Sequence, residues 1–167
     1  YLERSYKPSN KNLLIDAIDL WISNETKASS LYGDINTWDV SEITDFSNLF
    51  SGKTNFNSDI SNWDVSNGTR FDYMFNNASS FNQDISSWDF RGISDDSNMR
   101  DFLKNGGLST SNYDALLIRW ASQANEMEDD MRIDMGNSQY TGGSSAASAR
   151  STLINTYDWE IDDGGSA

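Results

Sequence analysis

The chain has 167 residues and carries 26 Asp and Glu against 12 Lys and Arg, a net charge of −14, so nucleic acid and anionic membrane surfaces are repelled and neither is an expected partner. Cysteine and histidine are absent, which excludes disulfide staples, thiol chemistry, and the commonest general base and zinc ligand. Six Trp, eight Phe and seven Tyr suit the core of one packed domain, and no apolar run approaches the roughly 20 residues that membrane insertion needs.

In chain order, "PSNKNLLIDAIDLWIS" reads as an amphipathic helix that starts near Ser9 or Asn10 and buries Leu13, Leu14, Ala17 and Trp21, with Ile18 at the edge of that face. Residues 1–30 are then an N-terminal helical cap. Residues 31–107 hold three units at a spacing of 25 residues, beginning at Leu31, Phe56 and Phe81. Trp38, Trp63 and Trp88 align, as do Asp39, Asp64 and Asp89 and the apolar Val40, Val65 and Phe90. The spacing Ile-x-x-Trp-x-Val is that of a leucine-rich repeat. It predicts an α/β fold: a leucine-rich-repeat-like solenoid with a short parallel sheet, one strand per unit, and capping helices at both ends. Trp and Val point inward and the Asp between them outward.

A turn and a single helical turn are expected after each strand, burying Phe46, Leu49 and Phe50 in the first unit and Phe71, Met74 and Phe75 in the second. In the third unit the same register would bury Asp96 and Arg100, at real cost. Reading Asp95-Asp96-Ser97 as a three-residue insertion moves Met99, Phe102 and Leu103 onto the core positions. Residues 108–167 read as a C-terminal cap. "LSTSNYDALLIRWASQ" is a helix with Ser109 or Ser111 as N-cap, "MRIDMG" a strand, "SSAASARSTLINTY" a helix and "DWEI" a last strand. The tail "DDGGSA" resembles the start of a linker.

"FNQDISSWDF", "SNWDVSN" and "YMFNNASSFNQDIS", with the head "AIDLWISNETKASSLYGDINTWDVS" and the tail from "GLSTSNYDALLIRW" to "TYDWEIDDGG", resemble BspA-like leucine-rich-repeat proteins of bacterial surfaces. The chain is also similar to the calcium-dependent peptide-binding domain of large RTX adhesins. That resemblance implies an extracellular, cell-surface adhesion module, monomeric within a larger chain. Its partners would be peptide or protein C-termini on a host cell surface, and its cofactor Ca2+. Arg70, Gly68, Arg91, Arg119 and the Asp-Asp-Ser insertion depart from the family pattern, which makes them candidates for specificity.

Each candidate has two readings. Carboxylates of Asp39, Asp64 and Asp89 at a strand spacing of about 4.8 Å would repel by roughly 3.5 kcal/mol at an effective dielectric of 20. Local hydrogen bonds or a cation would relieve this. Asp95 and Asp96, with Asp89 and Asp101 nearby in sequence, offer the oxygen donors that calcium needs. The acidic run from Glu126 to Asp134 is a rival metal site, and a solvated turn the bland alternative. Arg70, Arg91 and Arg119 could grip a peptide carboxylate with their planar forks, or simply pair with a neighbouring Asp. No nucleophile elbow, phosphate loop or His-bearing metal motif is present, so catalysis is not expected. A structural spacer and a carbohydrate-binding module are the other function classes.

Overall fold

The computed structural model describes residues 5–167. Asn10 opens helix α1 (Lys11–Ser23), its side chain accepting from the Leu13 amide at 3.0 Å. Leu14, Ala17, Ile18 and Trp21 form the buried stripe. Leu13, expected in that stripe, is 44% exposed, because it sits one position round from Leu14 on the outer face. Asn24 ends α1 and caps a second helix, α2 (Glu25–Tyr32), by accepting from Lys27 N.

Three turn-rich coils follow, and backbone hydrogen bonds tie each to the next. Phe46 N donates to Arg70 O, Asn48 N to Asp72 O and Phe50 N to Met74 O, at 2.8–3.0 Å. Phe71 N then donates to Asn98 O, Tyr73 N to Arg100 O and Phe75 N to Phe102 O, at 2.8–2.9 Å. The partner lies 24 residues on in the first set and 27 in the second. The change of three is the length of the Asp-Asp-Ser insertion. Met99, Phe102 and Leu103 are accordingly buried, at 1% exposure or less. Equivalent rings stack between coils, Phe46 on Phe71 and Phe50 on Phe75, both at 5.2 Å.

The α/β solenoid of leucine-rich-repeat type does not form. Regular structure among the described residues is mostly helical, and their one sheet has two parallel strands, β1 (Arg132–Asp134) and β2 (Glu160–Asp162). Trp and Val do alternate inward: Trp38, Trp63 and Trp88 are at most 2% exposed, and Val40 and Val65 at most 1%. The backbone there makes no ladder with the next unit. It folds back into local turns, with Trp63 N donating to Ile60 O and Gly68 N to Val65 O. Indoles do the bridging: Trp63 Nε1 donates to Ile35 O at 2.8 Å and Trp88 Nε1 to Ile60 O at 3.2 Å. Where backbone bonds do join the coils, Asn48, Tyr73 and Asp101 take left-handed φ values of 59°, 58° and 50°, which no extended strand can hold. The expected helical turns are likewise single i to i+3 bonds, such as Leu49 N to Phe46 O.

The carboxylates between Trp and Val are held locally. Asp39 accepts from the Ser41 amide and hydroxyl, and Asp64 from those of Ser66. Asp34, Asp59 and Asp84 each accept from the amide two residues on.

At the far end, α3 (Thr110–Gln123) is capped by Ser109 and α4 (Ser145–Tyr157) by Ser144. β1 joins the third coil through Leu103 N to Asp134 O at 2.9 Å. The Tyr113 hydroxyl donates to Asp163 at 2.6 Å, and Arg150 grips the same carboxylate. One continuous apolar core runs from Leu14 to Trp159.

Candidate functional site

Where β1 and β2 meet the third coil lies a concavity of about 840 Å³. Its floor is apolar: Ile133 and Trp159 are buried, and Ile154 and Ile161 half-buried. Arg100, Lys104 and Arg132 stand around it, accompanied by the carboxylates of Asp101, Asp134, Glu160 and Asp162. Lys104 pairs with the half-buried Asp101 and the exposed Arg132 with the exposed Glu160, each at 3.4 Å; the exposed pair contributes little. Arg100 makes no ion pair among the described residues. Asp134 is occupied by the Gly136 amide at 2.8 Å. Trp159 Nε1 is a buried donor without a partner among the described residues. The volume falls in the range usual for a small-ligand site, while the rim carries more charge than such sites usually do.

The arginines singled out by sequence are not in this groove. Arg70 holds Asp72 through two bonds, at 3.2 and 3.1 Å. Arg91 holds Asp89 in the same way, at 2.9 and 2.7 Å, and reaches Glu126 at 3.2 Å. Arg119 Nε donates to Trp88 O at 2.9 Å, which ties α3 to the third coil. All three forks therefore already have acceptors. Gly68, another departure, is a packing requirement: a Cβ there would lie 2.5 Å from the Phe71 ring.

The four acidic candidates separate. Asp89 is taken up by Arg91, whose hydrogen bond holds its carboxyl below the usual carboxylate range. Asp101 lies in the apolar-floored groove beside Lys104. Asp95 and Asp96 stay together and meet the rival acidic run: Ser94, Asp95, Asp96, Glu128, Asp129 and Asp130 enclose a recess of about 220 Å³. Asp95 accepts from the Ser97 amide and hydroxyl, which lowers its pKa. The recess offers five carboxylates and no cationic side chain in its lining. Oxygen donors of this kind fit a hard divalent cation such as calcium. Among the described residues no three acidic side chains already converge into a metal-holding group, so an ion would have to draw them together.

Both concavities are built from the same two stretches of chain. Residues 94–96 and 128–130 form the recess, while 100–104 and 132–134 contribute to the groove. Residues 22–132 match the family described as "Mycoplasma protein of unknown function, DUF285". The chain belongs to that family. The matched stretch includes all three coils, the acidic recess, Arg100 and Lys104, and ends at Arg132. No curated protein and no solved structure matches the chain.

Sequence reasoning passed over Arg100, Lys104, Arg132 and Tyr73. Arg100 is visible in the sequence only as a charge that the repeat register must keep out of the core. Once the insertion is allowed for, that charge must face outward, and this signal could have found it.

Proposed function

We propose that this domain is an extracellular binding module of a bacterial surface adhesin, and that it captures short peptides by their C-terminal carboxylate. The observation that supports this reading is the groove with Arg100 at its rim and Ile133, Ile154 and Trp159 along its floor. A guanidinium without an ion-pair partner suits a planar carboxylate, which it can hold with two parallel bonds. The apolar floor suits the side chains that precede that carboxylate.

Calcium belongs to the same proposal, at the acidic recess, held by carboxylates from Asp95, Asp96, Asp129 and Asp130. When bound it would supply charge neutralisation. The chain's own part is to carry both stretches that form the recess onward into the groove, joined by the Leu103 to Asp134 bond. Ordering 94–96 against 128–130 would fix the approach of Arg100 and Arg132. Peptide capture would thus depend on calcium without the ion touching the peptide. The partners are the free C-termini of proteins on a host cell surface, and the domain acts as a monomeric module of a longer chain.

The test is calorimetric titration of the domain, in calcium, with a panel of short peptides prepared as free acids and as amides. Binding confined to the free acids is expected. Equal binding of both forms overturns carboxylate capture.

A further inference from the structure

Tyr73 occupies a backbone conformation that its neighbours in the stack reserve for small polar residues. Its amide donates to Arg100 O in the way that Asn48 N donates to Asp72 O one coil earlier. Positions 48, 73 and 101 are therefore structural equivalents, and all three are left-handed, at 59°, 58° and 50°. Asn and Asp tolerate that region, whereas a bulky ring there is an outlier. Such outliers persist where something else requires them, and they gather at binding sites.

Packing does not require the ring. Tyr73 is only half-buried, between the fully buried Phe71 and Met74. Among the described residues it stacks on no other ring and its hydroxyl makes no hydrogen bond. It lines the groove together with Arg100 and Lys104. We infer that Tyr73 is a specificity-determining residue: its ring is the wall against which an apolar side chain of the bound peptide packs, next to the carboxylate. The inference rests on the peptide-binding reading of the groove. It goes further by naming the class of peptide, one with an apolar residue shortly before its free C-terminus.

The experiment uses three peptides with a free C-terminal carboxylate, identical except for Gly, Leu or Phe at the residue before last. Wild type, Tyr73→Asn and Tyr73→Phe are titrated with each in calcium. Wild type and Tyr73→Phe should prefer Leu and Phe over Gly by roughly three- to tenfold, the worth of one aromatic contact. Tyr73→Asn should lose that preference and bind the Gly peptide as wild type does. Its melting temperature should be unchanged or higher, because Asn is the residue that the first coil already accepts at this position. An undiminished preference in Tyr73→Asn overturns the role of Tyr73 and leaves the groove standing. Failure of wild type to bind any of the three overturns both readings. A fall in the melting temperature of Tyr73→Asn with none in Tyr73→Phe would assign the ring to packing and also overturn the inference.

Discussion

Replacing Trp63 by Phe tests whether indole hydrogen bonds, rather than strand ladders, hold the coils together. Trp63 Nε1 donates to the buried Ile35 carbonyl at 2.8 Å. The substitution removes the donor and leaves that acceptor only its longer bond from Trp38 N at 3.3 Å, a cost of about 0.5–1.5 kcal/mol for the lost hydrogen bond beyond the loss of ring contacts. Trp120 is the internal control. It is fully buried, and its Nε1 has no partner among the described residues, so Trp120→Phe loses ring contacts and no hydrogen bond. For a domain of this size each kcal/mol lowers the melting temperature by about 2–4 °C. Trp63→Phe should therefore melt about 1–6 °C below Trp120→Phe, read by circular dichroism on both variants at one pH and protein concentration. Equal melting temperatures, or the reverse order, would refute the claim that the indole bond joins the first and second coils.

Two further predictions concern charge. Asp89 is held below the usual carboxylate range, first by the hydrogen bond from Arg91. Its contribution to stability is present above about pH 4 and lost as pH falls through the folded-state value. Asp89→Asn should thus melt below wild type at pH 7, and the gap should close below pH 4; a gap independent of pH would contradict the assignment. Calcium at 100 times its dissociation constant should stabilise the domain by about 2.7 kcal/mol, or about 5–11 °C. The shift should vanish in excess chelator and in the double variant Asp96→Asn with Asp129→Asn. A shift that survives in that variant would place the ion elsewhere.

Sequence pattern located the helices and the core better than it located the architecture. The caps Asn10, Ser109 and Ser144 follow from local chemistry, because a short polar side chain before an apolar run has few other uses. The insertion was legible because burying Asp96 and Arg100 is expensive. The strands in "MRIDMG" and "DWEI" were legible too, but the absence of strands from the repeat units was not: an inward Trp and Val two residues apart are compatible with a ladder or with stacked turns, and the partners of the backbone decide between them. Those partners depend on left-handed residues such as Tyr73, which no propensity would place there. The site was obscured for a related reason. Arg70 and Arg91 stand out as departures from a repeat, yet each lies two residues from the Asp that neutralises it. Arg100 gains its position only when the third coil meets β1 and β2.

The most direct test compares Arg100→Ala with Arg91→Ala in titrations against a peptide with a free C-terminus that binds wild type. Arg100→Ala should weaken binding by about tenfold or more, as expected on losing a charged hydrogen-bond donor. Arg91→Ala should bind as wild type does, since its guanidinium is committed to Asp89 and Glu126. Unchanged affinity in Arg100→Ala, or a loss confined to Arg91→Ala, would contradict the assignment of the groove as the peptide site.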